Sequence, residues 1–246
     1  TAPLNGALNR LARLMPEGMR GKSLLLRGTT PLAERYVGNA FMFNEAEKRA
    51  FFKDYHTQHP FQSITAPLYA EARDYDPVSQ MQFIDMHTWL PGDLLHNADR
   101  TTMVHSLELR TPFIDREVFR VAAEIPADLR ISHHTTKYVL RQAVADVVPA
   151  HVLNRKKLGF PVPIRFWLKN EMYDWARNII TQSQTDQYLD KNYFLKLLDD
   201  HRAGKRDYSR KLWTVLTFRT WYRLYVETSE LPDSRTAARD LLVTPR

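Results

Sequence analysis

Apolar residues along this 246-residue chain recur at helical spacing, and no run alternates apolar with polar residues as a half-buried strand does. That pattern restricts the fold to one built mainly from α-helices. Asn44 followed by Glu47 reads as a capping box opening a helix through about Tyr55. Asp76-Pro77 reads as an N-cap with a first-turn proline, ahead of an apolar stripe of Val78, Met81 and Ile84, and Leu90-Pro91-Gly92 closes that helix. Asp115 caps a helix carrying Val118, Phe119, Val121 and Ala122, with Pro126 just past its end. Thr135 or Thr136 caps the next, with Leu140, Ala143, Val144, Val147 and Val148 on one side and Pro149 as the stop. Phe194, Leu195, Leu197 and Leu198 mark another helix, ended by Gly204. The last helix runs from about Tyr208 to Val226 and is expected to be deeply buried, because Leu212, Val215, Leu216, Phe218, Trp221, Tyr222 and Tyr225 cover more than one face. No repeat or linker divides the chain, so one compact helical body over 1–228 with a polar tail over 229–246 is expected.

Glycine narrows the chemistry. There are eight, where about seventeen would be ordinary for this length. None are adjacent and none form G-x-G; Gly21-Lys22-Ser23 imitates the end of a phosphate loop, but Pro16 stands where that loop needs its first glycine. The chain therefore carries no glycine loop of its own for nucleotide phosphates. There are no cysteines, which excludes disulfides, a thiol nucleophile, thiolate-held zinc and iron–sulfur ligation, and fits a reducing compartment. No run approaches the length of a membrane-spanning helix. His56-x-x-His59 and His133-His134 lack a third ligand at useful spacing, so no metal site is assigned. The net charge of +7 is spread from Arg10 to Arg246, which reads as a solvated surface rather than a nucleic-acid face. A basic helical nucleic-acid-binding module stays as an alternative. The start, Thr-Ala-Pro-Leu-Asn, has no initiator Met and no signal segment, and reads as a fragment or processed chain.

Two patches concentrate polar chemistry. From Asp93 to Asp115 the chain places Asp93, Asp99, Glu108 and Asp115 with Arg100, Arg110, His96 and His105 among Met103, Val104, Leu107, Leu109 and Phe113. Such interleaving suggests paired, half-buried charges: an internal ion-pair network, for instance Glu108 with Arg110, or a polar site floor with Asp93 or Glu108 as base. The second patch, Asn154 to Pro163, is a loop stiffened by two prolines and carrying Arg155, Lys156 and Lys157. Lys137 falls at a helix N-terminus, where the helix dipole disfavours a cation. A bound anion would reconcile the two, so Lys137 and Lys157 nominate one polyanion pocket; a solvated basic turn is the alternative.

These patches carry a resemblance. Asp99-Arg100-Thr101-Thr102-Met103 and Ser106-Leu107-Glu108-Leu109-Arg110-Thr111-Pro112-Phe113-Ile114-Asp115 resemble the D-R-x-(S/T)-M and S-L-E-x-R-x-P-F-L-D pattern of the glutamine-hydrolysing asparagine synthetase family. Thr136-Lys137-Tyr138-Val139-Leu140-Arg141 resembles its T-K-Y-L-L-R, and Asn154 to Pro163 its N-R-x-K-x-G-F-x-V-P loop. Arg35-Tyr36, Phe43 to Arg49 and Leu212-Trp213 also fit, so the likeness runs from about residue 30 to 226. β-Lactam synthetases share the domain, but the Phe160-Pro161-Val162-Pro163 loop is closer to the asparagine synthetases.

The resemblance implies the C-terminal, mainly α-helical part of an α/β adenine-nucleotide-hydrolase-like synthetase domain (ATP pyrophosphatase type). The family's catalytic Cys and its S-G-G-x-D-S pyrophosphate loop do not occur here. It implies an enzyme that uses ATP and Mg2+, bound mainly through a missing upstream part, to adenylate the aspartate side chain. Glutamine-derived ammonia then displaces AMP. By position, Lys137 and Lys157 match phosphate-contacting lysines, and Lys157 also stabilises developing charge. Asp93 matches the acid proposed to help deprotonate the attacking amine. Arg100, Glu108 and Arg110 match positions assigned to positioning or ion pairing, with Glu108 counted among the catalytic set and Arg100 among the nucleotide-binding set. His96 and Asn97 depart from the residues commoner between these acids. The implied setting is cytoplasmic, with no nucleic-acid or membrane partner, a homodimer as the assembly, and a fragment inactive alone. A related amidotransferase or lactam synthetase acting on another acid is the enzymatic alternative.

Overall fold

A computed structural model describes residues 2–15, 19–38, 41–56, 60–132, 135–156, 159 and 162–227. The described chain is mainly helical. Its strands are the dipeptides Ile131–Ser132 and Thr135–Thr136, paired antiparallel with Ile131 opposite Thr136. Its contacts fall into two compact units, Thr1–Phe41 with Gln58–Lys157, and Met42–Thr57 with Leu158–Arg246, a division that no change of composition marks.

The second unit holds the larger core. The helices Glu45–Phe51, Tyr173–Gln182, Lys191–Arg202 and Ser209–Tyr222 bring together Phe51, Ile180, Phe194, Leu198, Leu212 and Leu216, all nearly or fully buried. The Asn44 capping box forms in both directions: Asn44 Oδ1 accepts from the Glu47 amide at 2.9 Å, and Glu47 accepts from the Asn44 amide at 3.0 Å. That helix stops at Phe51, short of Tyr55. Phe52 is extended and bridges Leu189, with the Asp190 amide donating to the Phe51 carbonyl at 2.7 Å, so strand-like pairing takes over the backbone. Gly204 terminates Lys191–Arg202 as expected. At φ +72° its amide donates to His201 and the next amide to Asp200, which together satisfy two end carbonyls. The last helix is buried along one face only; Trp221 and Tyr225 are 50% and 59% exposed.

The first unit has little core of its own, mainly Ala12, Tyr69, Ala72 and Ile84. Asp76 caps Pro77–His87 through the amides of Val78 and Ser79, and Asp115 caps Arg116–Ala123 through those of Glu117 and Val118. Two expectations fail. Leu90-Pro91-Gly92 do not end the helical path: after Thr88 it widens into a π-turn over Leu90–Leu95 and resumes as His96–Met103. A proline near the start of the wider segment has no helical bond to lose. Thr135 and Thr136 do not cap a helix. They pair with Ile131–Ser132, and Lys137 turns the chain in a left-handed conformation (φ 58°, ψ 34°) into the short helix Tyr138–Ala143. From Val144 the backbone makes turns, so the stripe through Val148 is not one helical face, and Val147 is 83% exposed.

Candidate functional site

The Asp93 carboxylate is held within its own helical path. The Trp89 indole N–H donates to Asp93 Oδ2 at 2.8 Å, and the Asn97 amide donates to Oδ1 at 2.5 Å. Residues four apart stack one turn above another, so Trp89, Asp93 and Asn97 form a single column. Asp93 lies in the π-turn, a geometry that recurs at functional sites. The carboxylate is exposed, and each oxygen keeps lone-pair capacity beyond the bond it accepts.

Arg100 is exposed on His96–Met103. That helix ends through the His105 and Leu107 amides, both donating to the Thr102 carbonyl, with Ser106 at φ 55° making the turn. Glu108 and Arg110 follow as an ion pair at 3.0 Å. The pairing expected of them is present, but the half-buried setting is not: their side chains are 72% and 82% exposed, and Leu107 and Phe113 on either side of them are exposed too. A pair in that position is worth about 0–1 kcal/mol. The sequence pattern suggested burial because charged and apolar residues alternate; in the folded unit both kinds face outward.

Lys137 is exposed at the hairpin-to-helix junction. Arg155 and Lys156 are exposed beyond the helix Ala150–Leu153, and Lys157 lies outside the described residues. The two segments are joined by a residue the sequence reading did not single out. Arg141 Nε donates to the Thr136 carbonyl at 3.2 Å, Nη1 to the Leu153 carbonyl, and Nη2 to the Arg155 carbonyl at 3.4 Å. Trp89 was equally unmarked, although its four-residue spacing from Asp93 could have flagged it. Among the described residues no hydrogen bond or ion pair joins Asp93, Glu108 and Lys137 to one another.

The π-turn is entered from a well-fastened helix. Tyr36 Oη donates to Asp85 Oδ2 at 2.7 Å; burial first, then this carboxylate, pushes the Tyr36 phenol well above its ordinary range. Burial also raises Tyr69, whose hydroxyl donates to the Tyr36 carbonyl at 3.0 Å. Gly38, at φ +70°, lies against Asp85: a Cβ there would sit 2.8 Å from Asp85 Oδ1. At the start of the helix Arg130 binds Ser79 at 2.8 Å and also Gln82, which ties the hairpin's approach to the same element. Among the described residues no three His, Asp or Glu side chains group to hold a metal ion.

Comparison with known proteins follows the same segments. The model of the asparagine synthase family matches residues 7–223. Asparagine synthetase (glutamine-hydrolyzing) 1 of Bacillus subtilis is 53% identical over 230 residues, covering 94% of this chain and 36% of that protein. A putative asparagine synthetase (glutamine-hydrolyzing) of Mycobacterium bovis is 48% identical over 231 residues, covering 94% of this chain and 35% of its own length. An amidase of Gibberella zeae is 26% identical over 119 residues, which is 46% of this chain and 18% of that protein. No solved structure matches. The chain spans about a third of the length of the first two relatives.

Proposed function

The chain belongs to the asparagine synthase family, and on that premise we propose that it is part of a glutamine-dependent asparagine synthetase. In this reading the aspartate side-chain carboxylate attacks the α-phosphorus of ATP, and pyrophosphate leaves. Ammonia released from glutamine then attacks the acyl carbon, AMP departs, and the nitrogen gives up a proton as the amide forms. The observation that carries the reading is the family match over 7–223, which contains all three polar motifs in order.

The residues take roles that their chemistry permits. Lys137 and Lys157 hold the polyphosphate and offset the charge that builds as pyrophosphate leaves. Asp93, aimed by Trp89 and Asn97, receives the proton from the attacking amine through its free lone pairs. Arg100 faces the nucleotide, and the Glu108–Arg110 pair positions the segment between them. Magnesium would accompany the nucleotide and neutralise phosphate charge; the described residues do not form a site for it, and it is assigned to an upstream part. The setting is cytoplasmic and the assembly a homodimer. Residues 1–246 alone are inactive and bind ATP weakly, and micromolar ATP binding measured by calorimetry would overturn that.

Two measurements test the function. In a chain extended by the family's upstream part, Lys157→Ala abolishes amide synthesis and leaves glutaminase activity; retained synthesis sinks the assignment. Pyrophosphate release that depends on aspartate identifies the acyl substrate. A related amidotransferase or lactam synthetase acting on another acid is the alternative reading; pyrophosphate release driven by another acid would select it.

A further inference from the structure

We infer that Arg141 is a positioning residue that tethers the Lys137 segment to the basic Arg155-Lys156 segment, so that their cations form one phosphate-binding group. The inference rests on the proposed phosphate role of Lys137. The geometry is a single guanidinium satisfying three backbone carbonyls from two segments: Thr136, next to Lys137, and Leu153 and Arg155, at and just past the end of Ala150–Leu153. Leu153 and Arg155 lie 12 and 14 residues along the chain from Arg141, so the contact is tertiary rather than part of one helix. Both segments are short, and Tyr138–Ala143 packs against Ala127–Arg130. Tyr138–Ala143 is six residues long, Ala150–Leu153 is four, neither contains a buried residue, and Lys137, Arg155 and Lys156 are exposed. Helices this short are marginal alone.

Cations carried on adjoining backbone segments repel one another, and the Arg141 bonds hold those backbones together against that repulsion. A planar fork with five N–H donors can bridge three carbonyls; a lysine ammonium is a single point on a flexible stem and cannot span them. Arg141 thus provides a preorganised arrangement before any phosphate arrives. It needs no contact with the ligand and is not a catalytic residue.

The test uses the whole 246-residue chain. Because it contains no cysteine, spin labels can be placed cleanly at Gln142→Cys and Asn154→Cys, both exposed and neither a phosphate-binding cation. We expect a narrow distance distribution in the parent, broadened by Arg141→Met and by Arg141→Lys, with helicity and thermal midpoint otherwise kept. Inorganic pyrophosphate, followed by phosphorus NMR at low salt, should bind weakly, and both variants should raise its dissociation constant on the order of tenfold through lost preorganisation. An unchanged distance distribution in Arg141→Met overturns the tether. A broadened distribution with unchanged pyrophosphate affinity overturns the positioning role. Lys137→Ala separates the two levels: if it binds pyrophosphate as well as the parent, the lysine reading fails and the phosphate role of Arg141 falls with it, while the distances still judge the tether.

Discussion

Replacing Arg219 distinguishes whether its charge or its volume sustains the second unit. The side chain is fully buried. Nη1 donates to the Ile180 carbonyl at 2.8 Å, near the C-terminal end of Tyr173–Gln182, where carbonyls lack helical partners and the dipole favours a cation. Nε and Nη2 have no partner among the described residues. Asp186 Oδ1 is 4.0 Å away, but Lys191 holds the same carboxylate at 2.5 Å. Burial lowers the Arg219 pKa, with Asp186 opposing, so the site is costly for the charge it contains. Methionine relieves two unmade hydrogen bonds, roughly 2–6 kcal/mol together, and loses one charge-assisted bond of about 1.5–3 kcal/mol. It also loses part of the Asp186 attraction, about 4 kcal/mol for a pair at this separation with an effective dielectric constant of about 20. These terms nearly cancel, and Arg219→Met should change stability by less than about 2 kcal/mol, as for other buried charges replaced by apolar residues of similar size. Alanine leaves a cavity beside Phe194 and should cost about 3–5 kcal/mol. Urea unfolding followed by tryptophan fluorescence reads this directly, because Trp167, Trp175, Trp213 and Trp221 belong to the second unit and only Trp89 to the first. If methionine and alanine destabilise equally, by more than about 3 kcal/mol, the polar contacts dominate and the reasoning is refuted.

Gly38→Ala should destabilise the first unit by at least about 1–2 kcal/mol, the cost of a left-handed non-glycine residue, and should push Asp85 off Tyr36. A spectrophotometric titration would then find the Tyr36 phenol moved down toward its ordinary 10.0, whereas an unmoved phenol would contradict the close approach. The hydrogen bond from Lys196, then that from Lys205, holds Asp200 below its ordinary 3.8. A depressed carboxylate contributes stability that is present above 3.8 and is lost as pH falls below it. Asp200→Asn should therefore lower stability near neutrality and unfold with a shallower acid dependence than the parent; identical acid profiles would contradict the pairing.

Local chemistry was legible wherever a cap or turn acts on its own neighbours. Asn44, Asp76, Asp115 and Gly204 occupy the helix ends expected of them, since each bond spans only a few residues. Boundaries set by distant partners were not legible. Phe52 leaves its helix because Leu189 offers a bridge, and Thr135-Thr136 become a strand because Ile131-Ser132 lie opposite. The site divides the same way. Trp89 and Asn97 reach Asp93 at a spacing the sequence displays, whereas Arg141 reaches Leu153 and Arg155 only once the chain has folded back.

The sequence by itself determined a mainly helical chain, the order of its polar motifs and its family, because periodicity, capping and motif order are properties of neighbours along the chain. Only the tertiary structure decided that the contacts form two units, that the Glu108–Arg110 segment faces solvent, and that one guanidinium joins the two basic segments. Burial and long-range hydrogen bonds depend on which surfaces meet, and spacing along a chain does not encode that.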